Sequence, residues 1–136
     1  MFLLFSVLLT AIGCSQPAEP EAKQVTAKMP ANFPDDFPIY PKSKVVISDW
    51  SMTRSGRTIL RVKWQGPGLV GEALEFYDRE LEANQWDKSF DQDLQTKVLS
   101  IWRRNQQHKE ASRLVIAPLD PSEAKDGVFI AVELIL

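Results

Sequence analysis

The chain has 136 residues, a formal net charge of −2, one cysteine and one histidine. One cysteine excludes an internal disulfide, and one cysteine with one histidine supplies too few ligands for an ordinary zinc site. The stability of the folded part must therefore come from packing alone.

The N-terminal segment MFLLFSVLLTAIG, residues 1–13, contains ten apolar side chains and no charge. It is too short to span a bilayer, because a spanning helix needs about 20 apolar residues. A short apolar segment that ends in small residues is typical of a secretory signal peptide. The sequence therefore predicts that residues 1–13 are removed during export.

The stretch Ala11-Ile12-Gly13-Cys14 follows this apolar run. It resembles the lipobox of bacterial lipoproteins, in which a peptidase cuts before the cysteine and the sulfur carries a diacylglycerol. Ala11 stands where leucine is usual, and no basic residue precedes the apolar run. The resemblance implies that Cys14 is acylated and that two or more acyl chains anchor the protein stably. Ser15, in place of a retaining aspartate, implies the outer membrane, on the side that faces the periplasm.

Residues 15–31, SQPAEPEAKQVTAKMPA, contain three prolines and almost no large apolar side chain. Such a segment has nothing to bury and is expected to stay unfolded. With polyproline II geometry, at about 3 Å per residue, it would hold a domain up to roughly 50 Å from the bilayer. The sequence predicts a lipidated tether at 14–31 and one domain at 32–136.

The domain opens with FPDDFPIYPKSKVV, in which prolines 34, 38 and 41 exclude helix and predict an extended arm. Its side chains Phe33, Phe37, Ile39 and Tyr40 are expected to pack onto the domain, because burial stabilises them. Pro38 to Pro41 also spells P-x-x-P, which is an alternative ligand for aromatic grooves.

Two strands follow, KVVISDWSM (44–52) and TILRVKWQ (58–65), with Ser55-Gly56 as the hairpin signal between them. In the second strand the apolar side chains are Leu60, Val62 and Trp64. They alternate with Ile59, Arg61 and Lys63, so one strand face is apolar and the other basic.

The next stretch, GPGLVGEALEFYDRELEANQW, changes to helical spacing, with Val70, Leu74, Tyr77 and Leu81 on one stripe. Leu74, Tyr77 and Leu81 are predicted to be buried against the apolar face of the second strand. Glycines replace the usual capping residues at the helix start, and Glu72 in the first turn partly offsets this.

The rest of the chain has β character, near 88–91 and at 97–104, 111–119 and 128–135. The order is therefore ββαββββ, with hairpin-length links except around the helix. This order predicts an α+β domain, an antiparallel sheet with one helix packed across one face.

Two motifs, FPIYPKSKVV and FYDRELEANQW, resemble those of small bacterial envelope lipoprotein domains, with a "P-x-YP-x-(A/S)-K-V-V" start and an "FY-x3-L-x3-GW" helix end. The resemblance covers roughly residues 37–90 and implies export, a helix-on-sheet fold and no assigned activity. Gln85 stands where the pattern has glycine, so Asn84 is expected to close the helix.

Chemistry-bearing residues are sparse. His108 lies in the polar turn NQQHK with no nucleophile or orienting partner suggested nearby. The carboxylate pairs Asp35-Asp36 and Asp91 with Asp93 lack a glycine-containing calcium loop. The sequence therefore predicts no catalytic residues, no metal site and no cofactor, and the chain is not expected to be an enzyme.

Charge is unevenly placed along the chain. Residues 54–63 hold four bases and no acid, and residues 72–93 hold eight acids and two bases. An acidic helix on one side of the sheet would leave a basic face on the other, with anion-binding candidates Arg61, Lys63 and Arg113. The alternative is that these bases merely solubilise the face. Nucleic acid is not an expected partner of an exported protein.

Four tryptophans occur in the domain. Trp64 lies on the apolar strand face and Trp86 at the end of the helix, and both are expected in the core. Trp50 and Trp102 could each face the helix or stand beside the basic residues, and burial is the favoured prediction. An exposed tryptophan beside arginine would instead mark a binding surface.

Together these features favour a non-catalytic lipoprotein of the bacterial envelope, held on the membrane by its lipid anchor. Its role would be binding or scaffolding, with an anionic envelope component or an envelope protein as partner. The alternative is an accessory subunit of an envelope assembly or transport complex, which a large apolar surface patch would favour.

Mass spectrometry of the mature protein is expected to find an acylated Cys14 at its N-terminus. A Cys14→Ser variant should lose the lipid mass and partition into the aqueous phase of a detergent extraction. A free Met1, or an unmodified cysteine in the wild-type chain, would contradict the prediction.

Overall fold

The computed structural model describes residues 28–104, 110–120 and 126–136. The predicted signal peptide, Cys14, residues 15–27 of the tether and His108 lie outside the described residues.

Six strands and one helix occur in the order ββαββββ, which confirms the α+β prediction. Neighbouring strands of the single sheet are all antiparallel, and their order is β1-β2-β6-β5-β4-β3. The elements are β1 (Lys44–Met52), β2 (Thr58–Pro67), α1 (Val70–Ala83), β3 (Trp86–Asp93), β4 (Val98–Arg104), β5 (Glu110–Pro118) and β6 (Gly127–Ile135).

The edge strands of the sheet are β1 and β3, and the last strand along the chain, β6, lies in its middle. β1 is one edge, β2 lies next to it, and α1 leads to β3 at the opposite edge. β4 and β5 then return toward the middle, where β6 pairs with both β5 and β2. The central strands are therefore β6 and its two neighbours, and they supply much of the buried surface.

One side of the sheet, which we name the inner face, carries the core. Every second residue of β2 and β6 is buried there, and Trp102, Leu114 and Ile116 continue the same layer across β4 and β5. The members from β2 and β6 are Leu60, Val62, Trp64, Val128, Ile130, Val132 and Leu134. This period of two is the alternation expected of strands with one buried face.

α1 contributes Ala73, Tyr77 and Leu81 to the core, and all three are fully buried. The prediction for Leu74 was wrong, because this side chain is only partly buried against the core. Residues 73, 77 and 81 are four apart and share one stripe of the helix, so Leu74 lies on its flank. Tyr77 and Leu81 are thus buried as predicted, and only Leu74 differs.

The start of the helix is as the sequence predicted, but its end is not. Leu69 offers no side-chain acceptor, and Glu72 Oε2 accepts a hydrogen bond from the Leu69 N–H at 2.8 Å. At the other end Gln85, and not Asn84, takes the left-handed conformation, with φ of 65°. Asn84 instead donates its side-chain amide to the backbone oxygen of Asp36 at 2.9 Å, which ties the arm to the helix end.

The arm before β1 is folded into turns and is not extended as predicted. The N–H groups of Phe33, Phe37 and Ser43 each bond to the carbonyl oxygen three residues earlier. These turns bury Phe33, Phe37 and Tyr40, as expected, but leave Ile39 48% exposed. The rings of Phe33 and Phe37 meet Trp64 and Trp86 edge to face, with centroids 6.2 and 5.7 Å apart.

Contacts with the domain begin before the predicted boundary at Asn32. The Ser48 hydroxyl donates to the Lys28 carbonyl oxygen at 2.6 Å, and Met29 packs against the core. The four residues 28–31 therefore lie against the domain beside β1.

A buried hydrogen bond joins α1 to β2. The indole Nε1–H of Trp64 donates to the Tyr77 hydroxyl oxygen at 3.0 Å. Burial raises the pKa of Tyr77 far above its ordinary value of 10.0, although the hydrogen bond from Trp64 acts in the opposite direction. Tyr40 stacks on Tyr77 with centroids 6.4 Å apart, and burial followed by the charge of Glu72 also raises the Tyr40 pKa.

Replacing Leu81 with alanine is expected to lower the free energy of unfolding by about 2 to 5 kcal/mol, because it opens a cavity in the core. Its exposed neighbour is the matched control, and Glu82→Ala should change stability by less than about 0.5 kcal/mol. Urea denaturation of both variants measures the difference. Equal losses would contradict the helix phase.

The folded domain is expected to lose stability as pH rises above 10. Tyr40 and Tyr77 are the only two tyrosines, and both have raised pKa values when folded. Above pH 10.0 the unfolded chain releases phenol protons that the folded chain retains, so unfolding becomes more favourable. Tyr77 should form tyrosinate only together with the loss of circular dichroism. Ionisation of both tyrosines in a chain that keeps its dichroism would contradict this.

Candidate functional site

The side of the sheet opposite the core, which we name the open face, is the largest surface that the strands present. All of its side chains keep part of their surface exposed. Apolar residues outnumber charged ones there. The apolar members are Ile47, Ile59, Phe90, Leu99, Ile101, Ala111, Val115, Ala117, Phe129, Ala131 and Ile135.

A row of alternating charges crosses this face. The strand register places Asp49, Arg61, Glu133 and Arg113 side by side on β1, β2, β6 and β5. Arg61 Nε lies 2.8 Å from Glu133 Oε2, and its Nη1 lies 3.3 Å from Asp49 Oδ1 and 3.1 Å from Ser51 Oγ. The row therefore carries two positive and two negative groups.

The ion pairs of Arg61 hold its charge in place. Burial by itself would lower the pKa of Arg61, and the hydrogen bonds to Glu133 and Asp49 outweigh this and raise it. The side chain is 35% exposed, so these pairs stabilise the fold by no more than about 1 kcal/mol. Arg61 is thus a cation whose nearest counterions are already provided by the sheet.

Lys63 and Arg113 are more open to solvent than Arg61. Lys63 Nζ lies 5.9 Å from the ring centroid of Phe129, which is within reach of a cation–π contact. Arg113 is exposed and lies opposite Glu133 in the strand register. Within the part of the chain that the structure describes, neither side chain forms an ion pair.

The three basic residues line one shallow groove of about 250 Å³. Val115, Phe129 and Ala131 form its apolar floor, and Glu133 contributes the acid between the cations. The structure thus brings the predicted residues together on one face. Sequence reasoning missed the partners Asp49 and Glu133, although each stands on the solvent side of an alternating strand.

Arg103 and Arg104 separate onto opposite faces. Arg103 is exposed on the side of the open face, whereas Arg104 turns inward beneath the arm. Arg104 donates to Glu110 Oε2 at 2.6 Å and to Asp36 Oδ2, and its guanidinium lies 4.8 Å from the Trp86 ring centroid. Burial opposes the charge of Arg104, and its carboxylate partners raise its pKa above the ordinary value.

Lys88 forms a second charged cluster between α1 and β3. Its Nζ lies 2.7 Å from Asp78 Oδ1, 3.5 Å from Asp91 Oδ2 and 5.1 Å from the Trp102 ring centroid. Burial by itself would lower the pKa of Lys88, and these partners raise it. Asp78 therefore joins α1 to β3 and Asp36 joins the arm to β4, whereas Asp91 pairs with Lys88 within β3.

Three of the four tryptophans are buried and one is exposed. Trp64, Trp86 and Trp102 are buried, and Trp102 Nε1–H donates to Ser100 Oγ at 2.9 Å. Trp50 is 54% exposed, so its predicted burial was wrong. It lies on the edge strand β1, which has a neighbouring strand on only one side.

A larger cleft, of about 480 Å³, lies beside Trp50. Residues 29–32 form one wall, and Ser48, Asp49, Trp50 and Thr58 form the other. The one carboxylate in this lining is Asp49, which is ion-paired with Arg61. Among the described residues of the lining, Ser48 and Thr58 are the side chains with a hydroxyl group.

Metal-binding clusters and membrane-spanning helices were sought in residues 28–104, 110–120 and 126–136, which the structure describes. In these ranges no three histidine, cysteine, aspartate or glutamate side chains come together as a metal site would require. The helical structure in the same ranges is too short and too polar to cross a membrane.

Comparison with known proteins gives no relative for this chain. No protein-family model matches it, and neither the curated proteins nor the solved structures contain a significant match.

Proposed function

We propose that this protein is a non-catalytic lipoprotein of the bacterial envelope that binds or scaffolds an anionic envelope component through its open face. Acylation of Cys14 would anchor it in the membrane, and the outer membrane, on its periplasmic side, is the proposed location. The groove that joins Lys63 and Arg113 over an apolar floor is the observation that carries the proposal.

The proposal requires that α1 covers the inner face and leaves the other face free. Three observations support this arrangement. Ala73, Tyr77 and Leu81 are fully buried, Tyr77 accepts the hydrogen bond of Trp64, and α1 connects β2 to the opposite edge of the sheet. A helix that makes this connection has to cross one face, and the buried stripe indicates the inner one.

The groove is suited to a ligand that is both anionic and partly apolar. Lys63 and Arg113 offer charges that no carboxylate among the described residues neutralises through an ion pair. Phe129, Val115 and Ala131 offer apolar contact between them. A bidentate guanidinium favours phosphate or carboxylate groups, and Lys63 adds a point charge beside it. Arg61, bound to Asp49 and Glu133, orders the row and is not the main ligand contact.

An accessory subunit of an envelope assembly or transport complex is the second candidate. Ile47 at one side of the open face and Phe90 at the other are 38% and 44% exposed, and partly exposed apolar residues lie between them. A continuous apolar surface of this kind is typical of protein interfaces. A protein partner that covers the same face would bind with less dependence on salt concentration.

Reversing two charges, in the variant Lys63→Glu with Arg113→Glu, is expected to abolish salt-sensitive binding to lipopolysaccharide and to soluble peptidoglycan fragments. Binding by the wild-type chain should weaken as salt rises, because exposed charges are screened over about 8 Å at physiological ionic strength. Glu133→Gln removes the acid between the cations and should strengthen binding.

The matched control is Arg79→Glu with Lys97→Glu, which makes the same charge change on the helix surface and in the β3–β4 turn. This variant should bind as the wild-type chain does. Absence of salt-sensitive binding by the wild-type chain, or equal losses in both double variants, would contradict an anion-binding open face.

A further inference from the structure

The end of the β1–β2 hairpin combines exposed apolar and basic side chains. Trp50 and Met52 are 54% and 61% exposed at the end of β1. The turn that follows, residues 53–57, adds Arg54 and Arg57 and contains no acid. We name these four residues the hairpin patch. It lies outside the groove of the open face.

The exposure of Trp50 and Met52 has a structural cause. Both side chains project from the same side of β1 as Ser48, because residues two apart in a strand share a face. Ser48 is only 3% exposed, since the incoming chain crosses it and Lys28 accepts its hydroxyl hydrogen bond. The incoming chain thus shields β1 up to Ser48 and leaves the end of the strand uncovered.

The patch carries net positive charge. Asp49 is the nearest acid along the chain, and its carboxylate faces the open side and pairs with Arg61 at 3.3 Å. Arg54 is exposed, and Arg57 is partly buried at the foot of the turn. Two arginines beside two large apolar side chains complement a surface that is negatively charged outside and apolar beneath.

An anionic bilayer has this layered chemistry. Tryptophan is enriched at membrane interfaces, where its apolar ring is buried and its N–H stays hydrated. Each arginine near an anionic membrane surface strengthens binding, and guanidinium groups pair with lipid phosphates. Methionine adds a flexible apolar side chain that suits an irregular surface.

The path of the chain places this patch on the membrane side. Residues 29–32 form one wall of the cleft whose other wall includes Trp50, so the segment that leads back to Cys14 leaves the domain at the hairpin patch. The 13 residues from 15 to 27 can span at most roughly 45 Å when fully extended. An anchor at Cys14 would therefore keep the bilayer within reach of Trp50.

We propose that the hairpin patch docks on an anionic lipid surface, with Trp50 and Met52 among the headgroups and Arg54 on lipid phosphates. The orientation rests on the proposed acyl anchor at Cys14, whereas the lipid contact itself does not require it. With the hairpin on the membrane, the strands point away from the bilayer and the open face stays accessible to a periplasmic partner.

Intrinsic fluorescence tests the contact directly. Three of the four tryptophans are at most 1% exposed, so a change in emission on adding vesicles reports on Trp50. The sample is the chain from residue 14 with Cys14→Ser, which lacks the acyl anchor and keeps residues 28–136, where all described contacts lie. Circular dichroism confirms that each sample is folded.

Vesicles that contain phosphatidylglycerol should shift the Trp50 emission to shorter wavelength and protect it from a water-soluble quencher. Vesicles of phosphatidylcholine alone should do so only weakly. Arg54→Gln should weaken binding about 5-fold, from one arginine at about 1 kcal/mol. Trp50→Ser should weaken binding and abolish the emission shift.

Matched controls distinguish binding by the hairpin patch from nonspecific binding and from binding by the open face. Phe90→Ser removes an exposed ring from the other edge strand, and Arg79→Gln with Lys97→Gln removes two charges elsewhere. Both should bind vesicles as the unsubstituted chain does. An unchanged Trp50 emission, or equal losses in the hairpin and control variants, would overturn the proposal. Failure to find acylated Cys14 would instead count against the proposed anchor.

Discussion

The hydrogen bond from the Trp64 indole to the Tyr77 hydroxyl joins the only helix of the described chain to the central part of the sheet. Both partners are fully buried, and leaving one of them unpaired would cost about 1 to 3 kcal/mol. The bond thus fixes where α1 crosses the inner face. Tyr40 stacks against Tyr77 and Phe33 meets Trp64, so the arm is placed by the same pair of residues.

A helix of 14 residues shields six strands only incompletely, and the arm extends the cover. Its rings fill the space beside α1, while Arg104 and Lys88 tie arm and helix to β3 and β4 through carboxylates. Most charges near the core are therefore committed to structure. Among the described residues, Lys63 and Arg113 in the groove and Arg54 in the hairpin patch form no ion pair, and these are the two surfaces that we propose for binding.

Local periodicity predicted the elements well, because β2, β4, β5 and β6 each have one buried side and α1 has one buried stripe. The hairpin at Ser55-Gly56 and the apolar alternation of β2 were both visible in the sequence. Side chains at boundaries were harder to predict. Leu74 shares the helical spacing of Tyr77 and Leu81, but it lies on the flank of the buried stripe and is only partly buried.

Long-range partners were the main feature that the sequence could not provide. Arg61 meets Glu133 across 72 positions of chain, and only the placement of β6 beside β2 creates the pair. Trp50 had the pattern of a core residue, but the incoming chain shields Ser48 and not Trp50. Strand alternation identified Arg61, Lys63 and Arg113 as candidates. Only the strand register shows that Arg61 is paired with Asp49 and Glu133.

The central claim is that the sheet is covered on one face and free on the other. Methyl NMR of the isoleucines with a soluble paramagnetic probe tests it most directly, because these residues sample both faces. The open face carries Ile47, Ile59, Ile101 and Ile135, and the core carries Ile116 and Ile130. The four open-face methyl signals should broaden strongly while the two core signals stay sharp. Equal protection of both sets, or equal broadening of both, would contradict the account.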